Sequence, residues 1–260
     1  MTTTGITSHE ELAIIPHGVP SQEWQASKRQ LVRELFSAIA PGYDRFNRVA
    51  SLGLDQGWRR RTIREAALTP GMRVLDVCTG TGDLALLASR QTGDQGLVVG
   101  LDFTWPMLQG AARRQAQTQA SVDWLQADAL VLPFRDQTFD RIVMGFSTRN
   151  LADLSAGIRE LLRVLKPDGQ VLILETGWPS NPVLRVGYWA FLATVVRLAG
   201  WIITGKLWPF TYFARSVKGF LTPAAFADVV RDSGGRVQHH PLSGGLASLY
   251  VISKGHACAR

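Results

Sequence analysis

The sequence predicts a single α/β domain built on a mostly parallel, seven-stranded sheet that ends in an antiparallel hairpin. Three observations support this. Apolar strand-like segments alternate with helical patterns between about residues 73 and 175, which is typical of a parallel sheet with helices on both faces. Two final strand patterns are joined by only Ser243-Gly244-Gly245, and strands so closely joined pair antiparallel. A glycine turn follows the first strand, where a Rossmann-like sheet binds its ligand.

The N-terminal part is predicted to be a flexible leader, residues 1–26, followed by a helical cap, residues 27–68, within one domain that spans 27–260. From Lys28 to Ile39 the apolar residues recur at helical spacing, and Pro41-Gly42 breaks the pattern. Further helices are expected at about 44–50 and 55–67, the second with Asp55 as N-cap. Helices ahead of the first strand are expected to cover an active site.

The sheet region follows in regular order. Strands are expected near 73–77, 97–101, 122–126, 139–145, 170–175, 236–242 and 247–253, and helices near 83–91, 105–117, 153–165 and 222–233. Five alternating strands and a final hairpin are the plan of a class I methyltransferase.

Residues 180–218 do not belong to that plan and are predicted to form a hydrophobic insert, aromatic and aliphatic from 184 to 213. Its uncharged run, 186–196, is shorter than the roughly 20 residues that a transmembrane helix needs. Arg185, Arg197 and Lys206 also interrupt the insert. Two hypotheses remain open: an apolar lid for a substrate, in contact with a membrane surface, and an ordinary buried helix pair.

Composition limits the functional classes. The chain is 46% hydrophobic and 19% charged, as in globular proteins. Its two distant cysteines argue against a disulfide framework, no metal-ligand cluster is visible, and the N-terminus lacks a secretory signal, so we expect a cytoplasmic protein without a metal. The net charge is +7, with arginine runs at 59–61 and 113–114. We interpret these runs as solvated helix faces and expect no nucleic-acid partner.

The glycine turn predicts the cofactor. An apolar strand containing Asp76 runs into Gly80-Thr81-Gly82-Asp83, and the next strand ends on Asp102. A carboxylate there suits two ribose hydroxyls. A dinucleotide would also fit the glycine pattern, but Asp76 and Asp83 would repel its diphosphate and would suit the ammonium and sulfonium of S-adenosyl-L-methionine. We therefore predict S-adenosyl-L-methionine as the cofactor.

Several longer motifs resemble one family, the ubiquinone and menaquinone biosynthesis C-methyltransferases. The resemblance runs from about residue 28 to 254. It rests on FSAIAPGYD at 36–44, SLGLD at 51–55, WRR at 58–60, the turn at 74–84, GLDF at 100–103, ADA at 127–129, LPF at 132–134, Arg149-Asn150, ELLRVLKPDG at 160–169 and LSGGL at 242–246. The resemblance implies S-adenosyl-L-methionine-dependent methylation of a ring carbon on a prenylated benzoquinol or naphthoquinol.

The resemblance also implies which residues bind the cofactor. Thr81 would lie at its methionine end, Asp102 at the ribose, and Asp128 with the backbone of Ala129 at the adenine. The predicted cofactor-binding set is Asp76, Gly80, Thr81, Gly82, Asp102, Phe103, Asp128, Ala129 and Gly145.

The predicted catalytic residues are Arg149, Asn150 and Tyr43. Arg149 would stabilise a developing phenolate, since an arginine is too strongly protonated to be a simple base. Asn150 would orient a water or the ring oxygen, and Tyr43 would form part of the substrate cap. A structural alternative pairs Arg149 with Asp153, four residues on.

The acceptor is less well defined than the donor. The segments 145–148 and 176–178 depart from the family pattern and flank the expected substrate. Another apolar phenolic, isoprenoid or lipid acceptor therefore remains an alternative, as does a non-catalytic S-adenosyl-L-methionine-binding scaffold. A nucleic-acid methyltransferase is disfavoured, because no Asn/Asp-Pro-Pro-aromatic loop follows the fourth strand. A peripheral membrane contact and a homodimer are two further hypotheses.

Overall fold

The computed structural model describes residues 9, 11–14, 20–177 and 179–255. Seven strands form one sheet in the order β3-β2-β1-β4-β5-β7-β6. They are β1 Arg73–Val77, β2 Leu97–Asp102, β3 Asp123–Gln126, β4 Phe139–Gly145, β5 Leu165–Thr176, β6 Gly235–Leu242 and β7 Ala247–Lys254. Strand β7 is antiparallel to both β5 and β6, and the other neighbours pair in parallel. The predicted fold class is confirmed.

The helices surround this sheet. They are α1 Gln22–Ile39, α2 Tyr43–Ala50, α3 Asp55–Glu65, α4 Asp83–Thr92, α5 Trp105–Gln115, α6 Leu154–Val164, α7 Pro182–Phe191, α8 Arg197–Thr204, α9 Trp208–Lys218 and α10 Pro223–Asp232. Short 3-10 turns occur at Glu11–Ala13, Ala40–Gly42, Thr148–Asn150 and Ser243–Gly245.

The central strands are buried on both faces. In β1 the side chains of Val74, Leu75 and Val77 are fully buried, and in β5 the run Val171 to Glu175 is buried without interruption. Strands covered by helices on both faces show such continuous apolar runs in place of alternation. This explains why β1, β4 and β5 are recognisable in the sequence.

The order of the strands locates the binding edge. Strand β1 pairs with β2 on one side and with β4 on the other, so the chain reverses its direction of travel across the sheet at this point. In open α/β sheets, ligands bind in the crevice at the carboxyl ends of the strands beside such a switch point. The segments that follow β1, β2, β3 and β4 therefore converge on one site.

Two boundaries differ from the prediction. Helix α1 begins at Gln22, inside the predicted leader, where the Ser21 hydroxyl accepts a 3.2 Å hydrogen bond from the N–H of Trp24. The polar residues around Trp24 hide the helical period in the sequence, yet Trp24 itself is buried. Most of the predicted leader, namely 1–8, 10 and 15–19, lies outside the described residues. Strand β5 begins at Leu165, five positions before the predicted start at 170.

The insert packs against the cap. Helices α7 and α8 are joined through a π-helical segment, Leu192–Val196, whose Leu192 and Val196 are fully buried in a cluster shared with α1 and α9. Gly200 lies directly against Phe210, because a Cβ at this position would be 2.3 Å from the ring. The other face of the insert is exposed.

Within the described part of the chain, the segment Pro182–Thr204 is a continuous 23-residue helix that is long and apolar enough, by length and composition alone, to cross a membrane. The uncharged run in the sequence is shorter because Arg185 and Arg197 interrupt it, although neither residue ends the helix.

Candidate active site

The turn between β1 and α4 is tight and sterically constrained. Gly80 and Gly82 have left-handed backbones, with φ of +57° and +84°. A Cβ on Gly82 would lie 2.6 Å from the ring of Trp124, so this position requires glycine for its space as well as its backbone. The turn brings Gly80 to the carboxyl edge of the sheet.

Asp76 holds this turn from behind. Its Oδ2 accepts hydrogen bonds from the N–H of Ala85, at 2.9 Å, and from the hydroxyl of Thr79, at 2.6 Å. Burial raises the pKa of Asp76 to about 7. Asp76 lines neither of the two cavities described below, so its contacts support a role in shaping the turn and not the predicted direct contact with the cofactor.

Thr81 and Asp83 belong to an ion-pair network with the cap. Asp83 pairs with Arg114 at 2.5 Å and with Arg59 at 3.1 Å. Thr81 donates a 2.6 Å hydrogen bond to Asp44 on α2 and accepts one from Arg114. Burial alone would raise the pKa of Asp83, but the guanidiniums of Arg59 and Arg114 outweigh burial and lower it. Each arginine run thus contributes one residue to this network, while Arg60, Arg61 and Arg113 are exposed, as the interpretation of solvated helix faces predicts.

This network corrects the charge argument made from the sequence. Asp83 faces arginines of its own chain, Asp76 faces the turn, and neither lines the cavities. The choice of cofactor therefore depends on the carboxylates at the ends of the next two strands.

The first cavity, here called the strand-end cavity, lies at the carboxyl edge of the sheet and has a volume of about 60 Å³. Six residues of the predicted cofactor-binding set line it: Gly80, Asp102, Phe103, Asp128, Ala129 and Gly145. Thr81 and Gly82 do not. Three residues of α1 that were not predicted as site residues, Arg29, Val32 and Phe36, cover the cavity. Their spacing on one helical face was the available signal.

The acceptors and donors in the strand-end cavity fit an adenosine group. Asp102 accepts from the N–H groups of Gly80 and Thr104, at 2.9 and 2.8 Å, and burial raises its pKa. Asp128 pairs with Arg29 at 3.4 Å and accepts from the N–H of Leu130. In the described part of the chain the N–H of Ala129 donates to no protein atom, which leaves it available for a ring nitrogen.

The strand-end cavity is small for a ligand-binding pocket. Pockets for small ligands enclose about 300–1,000 Å³, which is more than the present cavity offers. The strand-end cavity alone is therefore smaller than a whole S-adenosyl-L-methionine molecule requires.

The second cavity, here called the lid cavity, has a volume of about 420 Å³ and lies between the cap, α7 and α9. Its walls are mostly apolar and aromatic, with contributions from Phe36, Phe46, Tyr188, Phe191, Phe210 and Phe213. Four residues line both cavities: Phe36, Tyr43, Phe146 and Asn150. The two cavities therefore adjoin each other at the carboxyl edge of the sheet.

Arg149 lies in the wall of the lid cavity and is paired with Glu175, at 2.5 Å between Nη1 and Oε1. Its Nη1 also donates to the carbonyl of Phe146 at 2.7 Å. Both charged side chains are buried, while the buried Nε of Arg149 finds no hydrogen-bond partner among the described residues. The predicted alternative partner, Asp153, instead caps α6 through the N–H of Ala156.

Glu175 is a residue that the sequence analysis missed. It is fully buried and accepts from the hydroxyl of Thr148, at 2.6 Å, and from the N–H of Thr176, at 2.8 Å, as well as from Arg149. An acidic residue directly after the apolar run 171–174 was the signal that could have indicated it.

Tyr43 and Asn150 lie at the junction of the cavities. The ring of Tyr43 covers the glycine turn, and its Cε1 would be 3.6 Å from a Cβ on Gly80. Burial raises the pKa of Tyr43, so its hydroxyl stays protonated. The Oδ1 of Asn150 accepts a 3.1 Å hydrogen bond from the hydroxyl of Tyr212. All three predicted catalytic residues therefore border the lid cavity.

Comparison with known proteins identifies the family. The model of the ubiE/COQ5 methyltransferase family matches residues 24–254. A demethylmenaquinone methyltransferase from Deinococcus radiodurans is 37% identical over 87% of this chain and 94% of its own length. The enzyme of the same name from Thermus thermophilus is 40% identical over 84% of this chain and 98% of its own.

Two further relatives extend the comparison. A 2-phytyl-1,4-naphtoquinone methyltransferase from Thermosynechococcus vestitus is 37% identical over 86% of this chain and 99% of its own length. A crystal structure of a SAM-dependent methyltransferase from Aquifex aeolicus covers 75% of this chain and 88% of its own, at 21% identity and a TM-score of 0.56. The last similarity shows the fold.

Asp102→Asn is expected to weaken S-adenosyl-L-methionine binding by about tenfold or more, because a charge-assisted hydrogen bond contributes about 1.5–3 kcal/mol. Isothermal titration calorimetry measures the affinity. The matched control is Asp123→Asn, an exposed carboxylate on β3 outside both cavities. Equal affinities of the two variants for S-adenosyl-L-methionine would show that Asp102 does not bind the cofactor.

Asp76 is expected to make folding pH-dependent. Burial raises the pKa of Asp76 from its usual 3.8 to about 7 in the folded state, so the folded state keeps a proton that the unfolded chain loses between about pH 4 and 7. The free energy of unfolding therefore falls as the pH rises through this window, by at most about 1.4 kcal/mol per pH unit. Urea unfolding at pH 5 and pH 8 should show a smaller loss for Asp76→Asn than for the wild type. Equal losses of unfolding free energy in both proteins would contradict the role of Asp76 in this pH dependence.

Proposed function

This chain belongs to the ubiE/COQ5 methyltransferase family, and on that premise we propose that it transfers a methyl group to a ring carbon of a quinol with a long apolar tail, of the demethylmenaquinol type. The family and the fold make it a methyltransferase that uses S-adenosyl-L-methionine. Relatives with nearly complete coverage are named for demethylmenaquinone and for 2-phytyl-1,4-naphtoquinone, and these names support the naphthoquinol as acceptor.

The main support for the proposal is that the two cavities adjoin each other. The lid cavity is large, apolar and aromatic, as a prenylated ring requires, and it adjoins the strand-end cavity at Tyr43 and Asn150. A ring in the lid cavity would thus meet the cofactor across a short boundary, and such positioning lowers the barrier of a two-substrate reaction.

The proposed chemistry begins at the ring oxygen. S-adenosyl-L-methionine supplies an electrophilic methyl group on sulfur. Transfer of a quinol hydroxyl proton to water would push an electron pair onto the neighbouring ring carbon, which would form the new carbon–carbon bond while the carbon–sulfur bond breaks and S-adenosyl-L-homocysteine leaves. The ring carbon would then release its hydrogen to water as a proton, and the ring would regain its aromaticity.

Arg149 would stabilise the developing phenolate. Arg149 lines the lid cavity, where its guanidinium would offer N–H donors to the ring oxygen. Glu175 holds the guanidinium in one orientation through Nη1, at 2.5 Å. Preorganised donors of this kind act strongly because they need no reorganisation during the reaction.

Arg149→Ala is expected to lower methyl transfer by about 10²–10³-fold, the cost of losing one oxyanion donor. The assay supplies demethylmenaquinol and isotope-labelled S-adenosyl-L-methionine, and mass spectrometry identifies the ring-methylated product. Cofactor affinity should stay unchanged, since Arg149 does not line the strand-end cavity.

The control for this experiment is Arg113→Ala, an exposed arginine on α5. Other prenylated phenols and lipid acceptors are tested beside demethylmenaquinol. Failure of the wild-type protein to methylate demethylmenaquinol would refute the proposed acceptor, and a wild-type rate for Arg149→Ala would refute the role of the arginine.

The exposed face of the insert supports a second part of the proposal, that this cytoplasmic enzyme lies on a membrane surface. Val183, Val186 and Ile202 are 79%, 70% and 69% exposed, and Trp201 is also exposed. Arg185 and Lys206 accompany them, which suits anionic lipid. Val183 and Leu184 also line the lid cavity, so a tail could pass from the bilayer into the site.

Val186→Glu and Ile202→Glu are each expected to weaken binding to vesicles of phosphatidylglycerol and phosphatidylcholine by about fivefold or more, because a charge replaces inserted apolar surface. Co-sedimentation measures the bound fraction. Val131→Glu is the matched control, with the same charge change at a residue that is 71% exposed and outside the insert. Equal losses in all three variants would show that charge alone is responsible.

A further inference from the structure

A buried lysine contacts a tyrosine in the wall of the lid cavity. Lys28 on α1 is fully buried, and its ammonium donates to the carbonyl of Leu12 and to the hydroxyl of Tyr212, the latter at 2.7 Å. Among the described residues no carboxylate forms an ion pair with it. A buried charge without a counter-ion is costly, and a methionine would fill the same space at lower cost. Packing alone therefore does not explain the amine.

The hydrogen bonds of Lys28 lead to the junction of the cavities. An ammonium has donors and no acceptor, so the Tyr212 oxygen must accept from Lys28 and donate its own hydrogen elsewhere. It donates to Oδ1 of Asn150 at 3.1 Å. This direction determines the orientation of the Asn150 amide: its oxygen faces Tyr212, and its NH₂ group faces away.

The NH₂ group of Asn150 is available to a ligand. Asn150 lines both cavities, and its Nδ2 donates to no protein atom in the part of the chain that the structure describes. If the amide were reversed, its NH₂ would face the hydroxyl hydrogen of Tyr212 and its carbonyl would face the substrate. A carbonyl cannot donate to a phenolate oxygen.

We propose that Lys28 is a positioning residue for methyl transfer: acting through Tyr212, it orients the Asn150 amide so that the NH₂ group donates to the ring oxygen of the quinol. The inference rests on the proposed function, because it names a quinol oxygen as the acceptor of that hydrogen bond. Burial, and secondarily the positive charge of Arg149, lower the pKa of Lys28 to about 7. The ammonium form enforces this direction, because it has no lone pair that could accept from the Tyr212 hydroxyl.

The test compares single and double variants. Tyr212→Phe and Lys28→Met each break the path while keeping the side-chain volume. Each is expected to lower kcat with demethylmenaquinol about tenfold, through misorientation of a catalytic group, and to leave the Kd of S-adenosyl-L-methionine and the KM of the quinol within about twofold. In an Asn150→Ala background, neither should cause a further loss, because the residue through which it acts is gone.

A merely structural role gives a different result. It would lower thermal stability and would reduce kcat by the same factor with or without Asn150. Additive losses, or an unchanged kcat for Tyr212→Phe, overturn the inference. Tyr212→Phe decides the question alone if Lys28→Met does not fold. Tyr250→Phe, a buried tyrosine on β7 outside both cavities, is the control and should keep the wild-type kcat.

The same assay separates the two proposals. If the wild-type enzyme does not methylate demethylmenaquinol, both the proposed function and the positioning role of Lys28 are overturned. If the wild-type enzyme is active but its variants lose activity additively, only the positioning role of Lys28 is overturned.

Discussion

The carboxylate of Asp76 is the contact on which the rest of the site depends. The chain leaves a buried strand and must begin α4 within a few residues, and the first N–H groups of a helix have no partner within the helix. Asp76 accepts from Ala85 and Thr79 and so closes the turn. With the turn closed, the N–H of Gly80 meets Asp102 at 2.9 Å. A buried carboxylate with a raised pKa is the consequence.

The ion-pair network extends this turn to the N-terminal cap. Asp83 and Thr81 in the turn contact Arg59 and Asp44 in the cap, with Arg114 bridging both. These contacts join the cap to the edge of the sheet, where the two cavities adjoin each other.

Much of the fold was predictable, because strands buried on both faces and the closely joined hairpin are visible locally. The partners of buried charges were not. Helical spacing offered Asp153, four residues away, as an ion-pair partner for Arg149, whereas the partner in the structure, Glu175, is 26 residues away. Lys28 and Tyr212 are separated by 184 residues and were not singled out. Periodicity and spacing report on neighbours along one element, so they carry little information about pairs formed between elements.

The sequence by itself determined the sheet, its binding edge and the class of cofactor, since each follows from local pattern and from motifs of the family. The tertiary structure alone decided which acids are available there. Asp76 and Asp83 flank the turn in the sequence, yet both are engaged by the protein, while Asp102 and Asp128 reach the strand-end cavity. The physical reason is that a carboxylate interacts with whatever lies within a few ångströms in space, and that distance exists only once the chain has folded.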